Sequence, residues 1–522
     1  MSKRLLKSTA VVSVYTLLSR ILGFVRDMVV ARYFGAGSIT DAFYVAFRIP
    51  NLLRRLFAEG AFSQAFVPVL GEYRQKHEHT EVQQLVQRVA GTLGVVLAVV
   101  TVLGVIGAPA LVYLFAPGFS GDETRFDLTV SMLRLTFPYL FFISLTAFAG
   151  GILNTYGRFA VPAFTPVLLN ISMITAAIYI SPMFEHPIMA LAVGVLVAGI
   201  AQLLFQLPFL YRLKLLSWPR PDRKDEGVRR ILRLMLPAMF GSSVAQINLL
   251  LDTLIASFLI TGSVSWLYYS DRLMEFPLGV FAIALATVIL PSLSRQHAAN
   301  NRVQFNHTLD WALRWAILIG LPAAAALMFL SAPLLTTLFQ YGAFHASDVV
   351  KSTISLQAYS IGLLGFILIK VLVPAFYARQ DTRTPVKIGI IAMTSNMALN
   401  IVIVIPLILF WFDAPHAGLA LATSLGSFVN AGLLFRSLRR QRIYQPQPGW
   451  FWLWLRIIFA TVVMSWFLIQ FSGSDELWLA LSAGGRSWRL AWLVFGGAGV
   501  YGLILLGSGV WPWRWRSSVQ PG

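Results

Sequence analysis

Long runs of apolar residues recur along the whole sequence and limit the folds that it can adopt. Each run has roughly 18 residues or more, which is enough for a helix to cross about 30 Å of hydrocarbon. Only helices and closed barrels can cross, because every backbone polar group needs a partner inside the bilayer. The runs are continuous rather than alternating, and only 12% of the residues are charged, about half of the usual fraction in a soluble protein. The sequence therefore predicts an all-α polytopic membrane protein.

We predict about fourteen membrane-spanning helices. Their ranges are residues 10–33, 38–58, 87–115, 126–153, 160–180, 188–211, 228–259, 264–292, 307–330, 352–377, 385–410, 416–436, 450–471 and 488–510. The first range follows Lys3, Arg4 and Lys7, as the apolar part of a signal peptide would. It reaches Arg20 without a cleavage site of small residues, so we interpret it as a retained span.

The net charge of +19 follows the predicted membrane topology. Lys and Arg lie mostly in alternate loops, whereas the loops near residues 181–187, 259–265, 331–350 and 406–415 contain neither. By the positive-inside rule, this pattern places both termini in the cytoplasm. The same residues can attract anionic lipid, and this interpretation is favoured over binding of nucleic acid.

Two parts of the chain resemble each other weakly. GSITDAFY from Gly37 is similar to GSVSWLYY from Gly262, and AFVPVL near Pro68 is similar to VILPSL near Pro291 at nearly the same offset. Chance similarity is the alternative, but parallel repeats are typical of two-lobed transporters that bind their substrate between the lobes. We predict an N-lobe at residues 1–211, a cytoplasmic linker at 212–227, a C-lobe at 228–440 and a C-terminal helix pair at 441–522.

Charged residues occur inside several predicted spans, where a charge is costly and normally faces a wet interior. Helical spacing places Arg20 and Asp27 on one face of the first span. Asp41, Arg48 and Arg55 fall on one stripe of the second span. In the eighth span, Asp271, Arg272 and Glu275 follow Tyr268 along one face.

These charges predict a cavity for an anionic ligand, because the arginine guanidinium suits phosphate oxygens. The alternative is a set of buried salt bridges that fixes the packing, although such pairs contribute little to stability. The candidate substrate-binding residues are Arg20, Arg26, Asp27, Asp41, Arg48, Arg54, Arg55, Glu59, Asp271, Arg272, Glu275 and Lys370.

A second group of polar residues has the oxygen atoms that Na⁺ prefers. The candidate sodium ligands are Asp252, Asn396, Asn400 and Thr423, on three predicted spans. Hydrogen bonding between helices is the alternative, and it is common for Asn and Thr in membranes. We expect no other cofactor, and we expect Na⁺ or the membrane potential to drive transport.

Sequence patterns of enzymes are absent. The sequence has no GxxxxGK[ST] motif, no HExxH motif and no cysteine, which excludes the corresponding nucleotide and metal sites and any cysteine nucleophile. A lipid-handling transferase is the remaining enzymatic alternative, but it would need an acidic site in a loop, and none stands out. We therefore predict a transporter rather than an enzyme.

Several long motifs closely resemble the MurJ (MviN) family of lipid II flippases. They are SRILGFVRD from Ser19, FGAGSITDAFYVAFRIPNLLRRLFAEGAFSQAFVPV from Phe34, GSVSWLYYSDRLMEFPLGVFAIAL from Gly262, FQYGAF from Phe339 and VLVPAFYARQDTRTPVK from Val371. The resemblance covers nearly the whole chain. It implies membership of the wider superfamily of multidrug, oligosaccharidyl-lipid and polysaccharide (MOP) exporters, which share a twelve-helix, two-lobed core.

This resemblance implies a function and a location. The substrate would be lipid II, the undecaprenyl-pyrophosphate-linked precursor of peptidoglycan, moved by alternating access from the cytoplasmic to the periplasmic leaflet of the bacterial inner membrane. Partners would be lipid II, the phospholipid bilayer and the cell-wall synthesis machinery.

The resemblance also assigns roles within the chain. The family's charged cavity residues correspond to Arg20, Arg26, Asp41, Arg48, Arg54, Arg55, Glu59, Arg272 and Glu275. Position 48, often Lys in relatives, is Arg here. Within this set, our own hypothesis is that Arg20, Arg26 and Arg272 bind the pyrophosphate. The Trp-rich last two spans would form the polyprenyl groove, with an aromatic belt as the alternative. A polysaccharide-lipid flippase and a cation-coupled multidrug exporter are the alternative functions.

Overall fold

The computed structural model describes residues 3–55, 62–410 and 413–511, and the described residues form twenty α-helices. The first ten are α1 (Lys3–Phe34), α2 (Ser38–Arg54), α3 (Ser63–Lys76), α4 (His79–Ile106), α5 (Ala108–Phe115), α6 (Glu123–Thr136), α7 (Tyr139–Thr155), α8 (Ala160–Thr175), α9 (Met189–Arg212) and α10 (Glu226–Ser257). The others are α11 (Ser263–Pro277), α12 (Ile283–Ala298), α13 (Arg302–Phe329), α14 (Ser331–Leu338), α15 (Ala346–Tyr377), α16 (Arg383–Leu409), α17 (His416–Arg440), α18 (Trp450–Ser472), α19 (Asp475–Ala480) and α20 (Ala483–Gly507).

The prediction of an all-α polytopic fold is confirmed. Within the described residues, eleven helical stretches are long and apolar enough to cross a membrane, and three of them join consecutive helical segments, at Glu123–Thr155, Ala160–Met183 and Ser263–Ala298. Each of the fourteen predicted spans overlaps a helix. The helices α1, α2 and α10 are not among the eleven stretches, so the count of fourteen stays a prediction.

The chain divides into two compact units, Met1–Ser265 and Trp266–Gly522. The first unit holds α1 to α10 and the first residues of α11. The second unit holds the rest of α11 and all later helices. The predicted lobe and linker boundaries lie elsewhere in the sequence and stay a prediction.

In the first unit, α3, α4, α7 and α10 share an apolar core. The side chains of Phe66, Leu85 and Phe148 are almost completely buried there, and the rings of Phe66 and Phe148 lie 4.9 Å apart. Outside this core, α1 packs on α8, α2 packs on α6, and α7 packs on α9. These pairings fix the positions of the charged residues on α1 and α2.

The segment between α9 and α10 lies along α4. The side-chain amide of Gln87 donates to the carbonyl of Trp218 at 2.7 Å, and the amide of Asp222 donates to Thr92 Oγ1 at 3.2 Å. Gly91 is required at the crossing, because a Cβ atom there would lie 2.3 Å from the carbonyl carbon of Arg220. The predicted linker is therefore packed against a helix over much of its length.

In the second unit, α15 and α17 approach each other closely through small residues. A Cβ atom on Gly362 would lie 2.6 Å from Ser424 Cα, and a Cβ atom on Gly365 would lie 2.3 Å from Ser427 Oγ. The hydroxyl of Ser427 donates to the carbonyl of Gly362 at 3.1 Å. Small residues and hydroxyls are the usual means of helix association in membranes.

A buried carboxylate attaches the segment before α18 to α13. Asp310 Oδ1 accepts hydrogen bonds from Tyr444 Oη at 2.7 Å, Trp450 Nε1 at 2.8 Å and the amide of Gln447 at 3.1 Å, while its Oδ2 accepts from Arg314 Nε at 2.7 Å. Burial, together with the bond to Asp310, raises the pKa of the Tyr444 hydroxyl, which therefore stays a donor. This carboxylate fixes where the C-terminal helix pair begins.

Candidate functional site

Asp41 accepts four hydrogen bonds, and its side chain has no exposed surface. Its Oδ2 accepts from Arg125 Nη2 at 2.6 Å and from the amide of Gly262 at 2.8 Å. Its Oδ1 accepts from the amide and the hydroxyl of Ser265 at 2.8 and 2.6 Å. We call Asp41, Arg125, Gly262 and Ser265 the Asp41 cluster.

The local sequence explains this cluster. The first amides of an α-helix have no partner within the helix and carry partial positive charge. Asp41, in the first turn of α2, supplies a carboxylate to the amides at the start of α11. Arg125, in the first turn of α6, adds a full positive charge. Its guanidinium carbon lies 3.6 Å from the centre of the buried Phe119 ring.

Arg125 is a buried charged residue of this cluster that the sequence analysis did not include. It lies one residue before the fourth predicted span and so resembles an ordinary charge at the membrane boundary. In the structure only 6% of its surface is exposed. The sequence did contain one indication of its importance, because Arg125 is the only basic residue in the loop before this span. Helical spacing could not, however, identify an acidic partner for it.

Arg26 and Asp27 form a second group with Asn170 of α8. Both Arg26 Nε and Nη2 donate to Asp27 Oδ1, at 3.0 and 2.7 Å, although the two residues are adjacent. Arg26 Nη1 donates to Asn170 Oδ1 at 3.1 Å, and Asn170 Nδ2 donates to the carbonyl of Ser19 at 3.0 Å. All three side chains are buried, whereas Arg20 is exposed.

The arginines of α2 have different surroundings. Arg48 is partly buried, and its Nη1 donates to the hydroxyl of Thr253 at 2.5 Å. Arg54 Nε donates to Asn51 Oδ1 at 2.8 Å, and Arg55 is exposed. Glu59, a further candidate, lies outside the described residues.

The candidates of the second unit lie on α11 and α15. Arg272 Nη1 bonds Glu275 Oε2 at 3.0 Å, one turn further along α11, and both side chains are partly accessible. Asp271 is partly buried. Lys370 of α15 is exposed.

The predicted sodium ligands are divided between the two units. Asp252 lies in the first unit, where its Oδ2 accepts from Asn248 Nδ2 at 3.3 Å. Asn396 and Asn400 are buried in α16, and Thr423 of α17 is partly buried. Among the residues that the structure describes, no group of three His, Cys, Asp or Glu side chains could hold a metal ion. The sodium site stays a prediction.

The first unit contains two kinds of charged group, which differ in their exposure to solvent. The Asp41 cluster is sealed from solvent and joins three segments that are distant in sequence. The arginines of α1 and α2 include exposed and partly buried side chains, which can bind an anion. The first unit therefore combines side chains that can bind an anion with a buried cluster that joins α2, α6 and the start of α11.

Comparison with known proteins gives consistent results. The family model described as "Lipid II flippase MurJ" matches residues 30–483. A protein of Vibrio cholerae named "Probable lipid II flippase MurJ" is 50% identical over 516 residues, which is 98% of this chain and 97% of that protein.

Two solved structures are similar as well. A structure titled "Lipid II flippase MurJ, inward closed conformation" has a TM-score of 0.79 and 27% identity, and the match covers 94% of this chain and 97% of that one. An inward-facing MATE family multidrug transporter of the MOP superfamily has a TM-score of 0.66 over 83% of this chain and 98% of that one. At 14% identity, this second likeness shows the fold alone.

Proposed function

Because the chain belongs to the lipid II flippase MurJ family, we propose that it moves lipid II from the cytoplasmic to the periplasmic leaflet of the bacterial inner membrane. The family's name also agrees with a transporter rather than an enzyme. The observation that carries the proposal is the group of arginines on α1 and α2, inside segments that are mostly apolar. Guanidinium groups in such a place suit a pyrophosphate, which has two phosphates and cannot cross hydrocarbon unaided.

The proposed mechanism is alternating access. The headgroup enters a cavity from the cytoplasmic side and binds Arg20, Arg26 and Arg272, while the polyprenyl tail stays in lipid along the C-terminal helix pair. In our orientation both termini are cytoplasmic, which puts the loops before α2, α6 and α11 on the periplasmic side. The Asp41 cluster then closes the exit. Release of the headgroup requires residues 262–265 to separate from α2.

The energy source belongs to this proposal too. Moving one charge across the membrane is worth about 2.3 kcal/mol per 100 mV, so the potential could reset the transporter. Na⁺ bound at Asp252, Asn396, Asn400 and Thr423 is the other candidate. Measuring lipid II exposure in the outer leaflet with and without a membrane potential, at fixed Na⁺, distinguishes the two.

The central test replaces Arg20 or Arg272 with Ala in cells depleted of their own flippase. We expect either variant to lose growth complementation and outer-leaflet exposure of lipid II, because a cation that faces the pyrophosphate is removed. Arg158→Ala, an exposed arginine in the loop before α8, is the matched control and should behave as the wild type. Full complementation by both variants at normal expression would contradict the proposed role of the arginines.

A further inference from the structure

We propose that Arg125 is a resident counter-ion: it remains paired with Asp41 when residues 262–265 move away, and it thereby allows the exit to open. This inference rests on the proposed alternating-access function. It concerns a residue that neither the sequence motifs nor the arginine group includes. Arg125 acts through Asp41 and is a positioning residue.

The donors to Asp41 fall into two sets. Three hydrogen bonds come from Gly262 and Ser265, at 2.6 to 2.8 Å. The fourth is the ion pair with Arg125, at 2.6 Å. Asp41 has no exposed surface. Among the described residues, its charge is therefore stabilised by these groups, and it is shielded from bulk water.

Arg125 is built into the same packed pair of helices as Asp41. The helix α6 packs along α2, and the hydroxyl of Thr136 near its far end donates to the carbonyl of Ala46 at 3.1 Å. The start of α6 is capped by Asp122, whose Oδ1 accepts from the amide of Arg125 at 3.1 Å. Arg125 also lies over the ring of Phe119. These contacts hold Arg125 beside Asp41 independently of residues 262–265.

Separation of residues 262–265 from α2 would remove three hydrogen-bond donors from Asp41 at once. We call the contact of residues 262–265 with Asp41 the seam. The bond between the amide of Gly118 and Ser257 Oγ, at 3.1 Å, lies next to the seam and would break as well. While the bonds with residues 262–265 break and before water replaces them, a carboxylate without any partner is far more costly than a paired one. With Arg125 in place, the open state keeps an ion pair. Without Arg125, Asp41 depends on residues 262–265 alone and the closed state is favoured.

This role predicts the opposite result from a structural one. If Arg125 only stabilised the closed state, its removal would make the exit open more readily. If it is the counter-ion of the open state, its removal should hold the exit shut. The direction of change in the accessibility of the seam therefore decides between the two.

The natural chain has no cysteine, so a single introduced thiol reports on the seam without interference. Ser263 is completely buried, and its Oγ has no hydrogen-bond partner among the described residues, so Ser263→Cys removes no bond. We would measure the rate at which a membrane-impermeant maleimide, added from the periplasmic side, labels this thiol. The full-length variants would be compared in cells at equal expression.

We expect Arg125→Gln to slow labelling about tenfold or more, because Asp41 keeps three donors in the closed state but has no charged partner while residues 262–265 separate from it. Arg125→Lys keeps the charge and should label nearly as the parent does. Asp41→Asn should speed labelling, since it weakens the bonds that close the seam. The double variant with Arg125→Gln and Asp41→Asn should label as fast as Asp41→Asn alone. It should also recover outer-leaflet exposure of lipid II relative to Arg125→Gln.

Each other outcome overturns the inference. If Arg125→Gln labels at the parent's rate or faster while Asp41→Asn labels fast, the Asp41 cluster still closes the exit, but Arg125 is not the counter-ion of the open state. Unchanged labelling of Asp41→Asn refutes both the exit and the counter-ion.

Arg486→Gln is the matched control, because Arg486 is equally buried but donates to backbone carbonyls of the second unit. If Arg125→Gln does not fold, the double variant provides the test. Labelling of the double variant that is slower than labelling of Asp41→Asn then refutes the proposal.

Discussion

Asn170 is a neutral residue whose replacement should weaken substrate binding. Its amide joins Arg26 Nη1 to the carbonyl of Ser19, at 3.1 and 3.0 Å, and only 5% of its surface is exposed. Asn170→Leu keeps a similar volume and removes both bonds. Arg26 then retains its pair with Asp27 at 2.7 Å but loses the contact that directs its guanidinium toward α8.

The magnitude follows from the two bonds. A hydrogen bond that involves a charged group contributes about 1.5–3 kcal/mol, and a neutral one contributes about 1 kcal/mol. The carbonyl of Ser19 lies within α1 and keeps its helical partner, so the loss of the Arg26 bond dominates. If the whole of that energy serves to orient Arg26 toward the pyrophosphate, affinity for lipid II should fall by about 10- to 150-fold.

The assay is binding of lipid II to the purified protein, with the thermal unfolding temperature measured in the same preparation. Asn170→Asp keeps an acceptor for Arg26 and should bind more tightly than Asn170→Leu. Asn154→Leu replaces an exposed asparagine of α7 and serves as the control. Wild-type affinity of Asn170→Leu would show that Asn170 only supports packing, and the argument for its positioning role would fail.

Two further predictions concern packing away from the arginines. Asp310→Asn should lower the unfolding temperature, because the ion-paired hydrogen bond from Arg314, one of the four that Asp310 accepts, is lost at a cost of about 1.5–3 kcal/mol. Exposed Asp413→Asn should leave that temperature unchanged, and an equal effect of both would contradict the reasoning. Gly91→Val should release the segment between α9 and α10 and speed its cleavage by trypsin, because there is no space for a Cβ atom. Gly94→Val, where a Cβ atom would meet nothing within 4 Å, is its control, and equal cleavage of the two variants would refute the close-approach argument.

The helices could be predicted from the sequence because a bilayer imposes one simple requirement. A span needs about 20 apolar residues and an internal partner for each backbone group, and both are visible as long apolar runs. The same logic located the charges of α1 and α2 as exceptions. Their periodicity placed Arg20 and Asp27 on one face, yet in the structure Asp27 is buried and Arg20 is exposed. Helical spacing therefore gave the direction of a side chain but not its neighbours.

Those neighbours come from long-range packing, which leaves no local pattern in the sequence. Asp41 and Arg125 are 84 residues apart, and Arg26 and Asn170 are 144 residues apart. Asn170 carries no charge and lies within an apolar run, so nothing marks it. Adjacent residues on a helix point about 100° apart. The long Arg26 side chain nonetheless folds back onto Asp27, and spacing alone did not predict this.

The partners of each arginine suggest how one unit can hold substrate and also close a path. Arg125 is buried against a carboxylate, so its charge is already neutralised and is a poor site for a second anion. Arg48 donates to a hydroxyl and Arg20 is exposed, and within the described residues neither forms an ion pair. A cation held by a neutral group keeps most of its attraction for a phosphate. For Arg125, Arg48 and Arg20, the division between neutralised and available arginines therefore matches the proposed division between closing the exit and binding the headgroup, and it follows from which acceptor the packing places beside each guanidinium. Arg26 and Arg272, which pair with Asp27 and Glu275 in this structure, do not follow this division.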